Sequence, residues 1–303
     1  MTIKRVSLVG LGALGVLFGH HLSKRIPDLK VVADQARIDR YRRDGVFSNG
    51  ERCEFNYVTP QESVPPADLI IFAVKFNNLN EAIEAVRGHV GANTILLSLL
   101  NGISSEEIIG EAFGTDKVVY CVAQGMDAVK TGNRLSFAHM GQLVFGDKAP
   151  GIISSNVRAV DEFFSAAEVP HTVETNMIKR LWGKFMINVG VNQTVAVYGD
   201  NYASIQQPGE RRDIMIAAMR EVMSLSEKEG IFLNEEDLHY WLGILDGLSP
   251  QGKPSMRQDV EAKRPSELEL FAGTMLRLGK KHHVETPVNA MLYTKMKEIE
   301  SGY

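Results

Sequence analysis

The chain has 303 residues, a length that suits two domains of ordinary size. Apolar residues make up 44% and charged residues 23%, which is enough for a buried core and excludes global disorder. A net charge of −4 argues against a general nucleic-acid binder, and two cysteines, Cys53 and Cys121, exclude a disulfide framework and a four-ligand zinc site.

Both cysteines read as free thiols in a reducing compartment, and no metal site is expected. The chain enters its first strand directly from Ile3-Lys4-Arg5-Val6, without the charged region and cleavage site of a signal peptide. No uncharged apolar run is long enough to span a bilayer. The expectation is a cytoplasmic protein with no membrane partner.

Val6 to Val9 is a short β-branched, apolar run, followed by a glycine cluster and an amphipathic stretch from Ala13 to Lys24. Leu29 to Ala33, Asp68 to Val74, Thr94 to Leu99 and Lys117 to Val122 are further strand candidates, and Glu81 to Val90 and Ser105 to Ala112 are helix candidates between them. Continuous apolar strands alternating with helices predict a doubly wound, parallel α/β sheet of Rossmann type. His139 to Gly146 reads as a strand pair closing that sheet, Ser155 to Ala167 as a helix and Val169 to Thr175 as a last strand. Segments 177–198, 210–229, 235–247, 255–280 and 287–300 carry helical periodicity, with no strand among them. The expected organisation is a dinucleotide-binding domain over 1–175 and an all-α substrate domain over 176–303.

Gly10-Leu11-Gly12-Ala13-Leu14-Gly15 fits G-x-G-x-x-G between a strand and a helix. The first glycine permits a tight turn, the second lets backbone approach a pyrophosphate, and the third lets helix and strand pack closely. The phosphates would then lie at the positive end of the helix. The expected cofactor is NAD(H) or NADP(H). Asp34, roughly 20 residues past the glycines, occupies the position of the acid that binds the ribose diol and favours NAD. Arg37 and Arg40 just downstream could neutralise a 2′-phosphate, although an exposed helix accounts for both more simply.

Asn101-Gly102 ends a strand, where such sheets place ligand-facing loops. Lys184, Asn188 and Asn192 stand at i, i+4 and i+8 on one face of an otherwise apolar helix. Ser255-Met256-Arg257-Gln258-Asp259 is followed by Glu267. Reducing a ketone needs a hydride on carbon and a proton on oxygen, and Lys184 suits the second task. Each residue also has a plainer reading: a snorkelling lysine, asparagines bonding between helices, a serine N-cap, a solvated acid in a first helical turn, an asparagine in a turn.

Taken together these segments, with Ala73-Val74-Lys75 and His139 to Gly146, resemble the ketopantoate reductase family over essentially the whole chain. The resemblance implies NAD(P)H-dependent reduction of 2-dehydropantoate to (R)-pantoate in pantothenate biosynthesis, with NADP as cofactor. It implies that Lys184 is the general acid and that Glu267 binds substrate hydroxyls and pairs with the lysine. Asn188, Asn192 and Ser255 would hold the substrate, Asn101 would lie between nicotinamide and substrate, and Lys75 near both. The chain departs from the pattern at Asp34, where an arginine is usual, at Gln193, where proline is common, across residues 199–205, and at Gly252, where some members carry a substrate-binding asparagine. A reductase of another small 2-oxo acid and a non-catalytic dinucleotide sensor are the alternatives. Phosphorylated substrates fit less well, since only Arg180 lies close to the Lys184 helix and it is off that face. The expected partners are a small 2-oxo acid and, as assembly, a second copy of the chain, with no nucleic acid.

Overall fold

The structure, a computed structural model, describes residues 2–303. The chain divides into two compact units, the first ending at Ile178 and the second running Lys179–Tyr303.

In the first unit, Val6–Val9 (β1) leads into Ala13–Ser23 (α1), Leu29–Val32 (β2) and Gln35–Asp44 (α2). Phe47–Ser48 (β3), Glu51–Arg52 (β4) and Asn56–Val58 (β5) follow, then Leu69–Phe72 (β6), Leu79–Ala85 (α3), Ile95–Ser98 (β7), Ser105–Phe113 (α4) and Val118–Gln124 (β8). The unit is completed by Val129–Thr131 (β9), Arg134–Ser136 (β10), Gln142–Gly146 (β11), Ser155–Ala166 (α5) and His171–Val173 (β12). β1, β6 and β7 are buried at every residue, as strands covered on both faces must be.

The main sheet has eight strands in the order β12-β11-β8-β7-β6-β1-β2-β5. The run from β8 to β5 is parallel throughout, while β11 pairs antiparallel with β8 and β12 parallel with β11. From β1 the chain proceeds to β2 on one side and to β6 on the other. The strand order therefore reverses between β1 and β6, and ligands of open α/β sheets bind beside such a switch point.

The 139–146 segment differs from the expected strand pair. Only Gln142–Gly146 is a strand of the main sheet. The hairpin that precedes it, β9–β10, belongs to a separate four-stranded sheet with β3 and β4, ordered β4-β3-β10-β9. Residues 139–141 form the link instead, because Gly141 turns at φ +65°, and a Cβ there would overlap the Gln124 carbonyl.

In the second unit every regular element of the described residues is helical: Met177–Tyr198 (α6), which starts just before the division, Ala203–Gln206 (α7), Glu210–Lys228 (α8), Glu235–Asp246 (α9), Ser255–Glu261 (α10), Thr274–His282 (α11) and Pro287–Glu300 (α12). The periodic stretch 255–280 is not one helix. α10 ends where Lys263 turns left-handed at φ +49°, Pro265 follows, and a π-turn at Glu269–Gly273 re-enters the helical path. Proline supplies no N–H to a helical ladder, so the break falls where the apolar period alone could not show it.

Phe185 of α6 packs near Phe271, with ring centroids 6.4 Å apart, and Met215, Met219, Val222 and Met296 are likewise buried. A buried polar chain pins three helices: Gln193 Nε2 donates to Asn289 Oδ1 at 2.9 Å and Asn289 Nδ2 to Glu221 Oε2 at 2.7 Å. Glu221 also accepts from the Val288 N–H at the start of α12. Interior hydrogen bonds of this kind hold the register between helices, although Gln193 Oε1 is buried without a partner among the described residues. Among the described residues no helix is long and apolar enough to cross a membrane, and no three His, Cys, Asp or Glu side chains are grouped to hold a metal ion. Cys53 and Cys121 are buried thiols.

Candidate active site

In the first unit the candidate residues gather at the carboxyl ends of neighbouring parallel strands. Gly10 follows β1 with φ +97°, a conformation that side chains oppose, and a Cβ there would meet the Ala73 carbonyl at 2.7 Å. A Cβ on Gly15 would overlap the Gly10 carbonyl oxygen, so the third glycine sets the closeness of α1 to its own turn. Gly12 is exposed and is the N-cap of α1, with no side-chain cap hydrogen bond. Leu11 is buried, and Ala13 and Leu14 are half-buried, packed against the core. The first N–H groups of α1 are thus presented by backbone alone, the arrangement that receives a pyrophosphate. These residues fit a dinucleotide.

Asp34 follows β2 and serves as N-cap of α2: its Oδ1 accepts the Arg37 N–H at 2.7 Å. Its Oδ2 lies 3.3 Å from Arg37 Nε, and the same guanidinium donates to Glu81 Oε1 at 2.8 Å. One cation between two carboxylates leaves that corner net negative. Arg40 lies over the Tyr41 ring, 5.6 Å from its centroid. Lys75 is exposed, the third residue past β6, where its carbonyl accepts the Asn78 N–H at 2.9 Å. Asn101 is half-buried after β7, beside Gly102 at φ +93°.

In the second unit α6 carries Lys184 and Asn188 half-buried and Asn192 buried. The helix is apolar on its remaining faces through Phe185, Met186, Val189 and Val195. Asn192 Nδ2 donates to Asn188 Oδ1 at 3.3 Å. Asn192 Oδ1 accepts from Ser255 Oγ at 3.3 Å and from the Met256 N–H at 3.2 Å. Three of the residues singled out in the sequence are therefore joined in one hydrogen-bonded row. Ser255 is not the N-cap of α10; Pro254 holds that place, and the Asn192 side chain satisfies the helix start from a different element. Glu267 is half-buried in the segment after α10, its carbonyl accepting the Leu270 and Phe271 N–H groups. Asp259 is buried and holds Arg264 at 3.0 Å, a bond that staples the end of α10.

Sequence reasoning missed Glu106. It is 1% exposed in the first turn of α4, five residues past Asn101. Beside Glu107, in a Ser-Ser-Glu-Glu helix start, it reads as an ordinary solvated acid, and nothing in the pattern marks it as buried.

A Rossmann unit with an uncapped glycine turn, followed by a helical unit carrying a lysine–asparagine–asparagine row, defines a nicotinamide-dinucleotide oxidoreductase architecture. The family model "Ketopantoate reductase PanE/ApbA" matches residues 6–150, and "Ketopantoate reductase PanE/ApbA C terminal" matches 176–300. The chain belongs to the ketopantoate reductase family. A 2-dehydropantoate 2-reductase of Aquifex aeolicus is 27% identical over 97% of this chain and 96% of its own. One of Streptococcus pyogenes is 24% identical over 95% of each. Among solved structures, a 2-dehydropantoate 2-reductase from Geobacter metallireducens GS-15 superposes with TM-score 0.84 at 23% identity, over 97% of this chain and 99% of that one. A D-mandelate dehydrogenase bound to NADH superposes with TM-score 0.87 at 20% identity, over 98% and 99%. These two likenesses establish the fold.

Proposed function

We propose that the protein reduces 2-dehydropantoate to (R)-pantoate with a reduced nicotinamide dinucleotide, a step of pantothenate and coenzyme A biosynthesis. The observation that carries this reading is the Asn188–Asn192–Ser255 row, which continues from Lys184 along α6. The dinucleotide, held at the glycine turn of α1 with Lys75 and Asn101 toward its nicotinamide end, supplies the hydride. Everything else falls to the chain. Because Asn188 Oδ1 is engaged by Asn192, the Asn188 NH₂ is the donor it offers to a substrate carboxylate. Ser255 adds a hydroxyl beside it, and neither residue adds charge that would compete with the lysine. Lys184 stabilises the alkoxide that develops on the carbonyl oxygen and gives it a proton. Glu267 binds the substrate hydroxyls and pairs electrostatically with the lysine. Assay of the purified protein with a panel of 2-oxo acids and both reduced cofactors tests the reading. Failure to reduce any of them makes the dinucleotide-sensor alternative the leading one.

NADH is the cofactor best supported by the Asp34–Arg37–Glu81 corner, where a 2′-phosphate would meet two carboxylates and an arginine already paired with both. Family resemblance alone points to NADPH.

A second reading, another 2-oxo acid, is favoured by Gly252. A Cβ on Gly252 would lie 2.8 Å from two ring carbons of Tyr202, so an aromatic ring occupies the space where some family members carry an asparagine side chain. The same substrate panel decides between the two. A ketopantoate reductase of Staphylococcus aureus is dimeric; we propose a cytoplasmic homodimer here, which sedimentation of the pure protein checks.

A further inference from the structure

Ser98 closes β7, Ser105 opens α4, and Glu106 follows it; all three side chains are at most 1% exposed. Leu100 N–H donates to Ser98 Oγ at 3.2 Å, Ser98 and Ser105 Oγ lie 2.8 Å apart, and Ser105 Oγ donates to Glu106 Oε2 at 2.8 Å. Each hydroxyl has one proton. With the Ser105 proton on the carboxylate, the Ser98 proton must go to Ser105, so Ser98 meets the Leu100 N–H purely as an acceptor. The chain of donors therefore has a single sense, from the Leu100–Asn101–Gly102 turn toward the carboxylate. The other carboxylate oxygen, Oε1, is buried with no hydrogen-bond partner among the described residues. A buried oxygen left so costs stability.

We propose that Glu106 is a positioning residue for the reaction, holding the Leu100–Asn101–Gly102 turn through the Ser105 and Ser98 hydroxyls so that Asn101 is set by the charge on that carboxyl. The functional part rests on the reductase reading above, in which Asn101 faces the nicotinamide. A proton arriving on Oε2 reverses the relay: the carboxyl donates to Ser105, Ser105 to Ser98, and Ser98 must send its own proton elsewhere. The ionised form keeps the relay aligned on the turn and is the productive one. Burial raises this carboxyl to about 7, against smaller lowering by the Ser105 hydroxyl and the backbone of Glu106 and Cys121. Glu107 raises it further and is itself paired with Lys148 at 3.2 Å. Tyr120 on β8 faces this carboxyl, while the side chain of Cys121, the next residue of the strand, points to the other face of the sheet. Glu81 and Glu84 of α3 are held in pairs with Arg37 and Arg87. The switch then falls within the working range of a cellular enzyme.

The test follows the Asn101 amide by ¹⁵N NMR and the Glu106 carboxyl by ¹³C NMR through a pH titration of the whole chain, which needs no turnover. In the wild type the two should titrate with one midpoint. In Glu106→Gln the Asn101 shift should lose its inflection. In Ser105→Ala the carboxyl should still titrate while Asn101 no longer follows it, and kcat should fall about tenfold with dinucleotide affinity within twofold, as misplacement of a positioning group does. An Asn101 amide that ignores Glu106 in the wild type, or follows it equally in Ser105→Ala, overturns the proposal. If the NMR coupling is seen but no 2-oxo acid is reduced, the reductase reading fails and the relay stands.

Discussion

Asn192 Oδ1 lies 3.3 Å from Ser255 Oγ and 3.2 Å from the Met256 N–H, so one side chain of α6 both orients the candidate substrate serine and caps the helix that carries it. Substitution at Asn192 therefore has two consequences that can be separated. Asn192→Ala should destabilise the protein by about 1 kcal/mol through the lost cap and raise KM for the 2-oxo acid through the displaced serine. Asn192→Asp keeps the acceptor for the Met256 N–H but loses the donor to Asn188 Oδ1 and buries a charge, so it should also be less stable than the wild type, and its negative charge repels a carboxylate substrate. Thermal unfolding and steady-state kinetics of the two variants read these effects; equal KM for both variants and wild type shows that the row does not face substrate.

Lys184→Ala should lower kcat by between ~10²- and ~10⁴-fold, the range general acid catalysis supplies, because the proton donor and the charge on the developing alkoxide are lost together. Dinucleotide affinity, measured by fluorescence, should barely change, since the glycine turn of α1 is untouched. Glu267→Ala should raise KM as well as lower kcat, and Ser255→Ala should act mainly on KM. Wild-type turnover by Lys184→Ala on the best substrate found removes the lysine from its assigned role.

At the end of β2, Asp34→Arg should shift the ratio of kcat/KM toward NADPH. The variant removes the Oδ1 cap bond to Arg37 N and one of the two carboxylates around Arg37. A modest loss of stability, about 1 kcal/mol, should accompany the change. If the wild type strongly prefers NADPH and the variant does not alter the preference, the carboxylate acts only as a helix cap.

Glu106 makes stability depend on pH with a definite sign. Its carboxyl titrates near 7 in the folded chain, pushed up by burial, against an ordinary value of 4.5. Between those values the folded chain holds a proton that the unfolded chain has lost, so stability falls as pH rises through the window and the penalty is complete above pH 7. Glu106→Gln lacks this dependence. Its stability relative to wild type should improve between about pH 5 and about pH 8 by an amount on the order of 3 kcal/mol, read from denaturant unfolding at each pH. A difference that is constant with pH shows that the carboxyl does not titrate in this range.

The class of fold, the dinucleotide turn and the residues worth testing are legible in the order of amino acids alone. These are local or strictly periodic features: buried strands are continuous apolar runs, the glycine turn needs its three glycines at fixed spacing, and a helix brings every fourth residue to one face. Lys184, Asn188 and Asn192 were legible for that last reason. The remaining features depend on residues far apart in the chain. The β9–β10 hairpin joins a second sheet because its partner, β3, lies more than eighty residues earlier. The break after α10 comes from a left-handed residue and a proline inside an otherwise helical period. Asn192 caps a helix 64 positions away, which no spacing rule could show. Glu106 stands beside Glu107 with the same chemistry in the same helical turn. One is sealed in the interior and the other exposed, because burial is set by which face the fold turns inward.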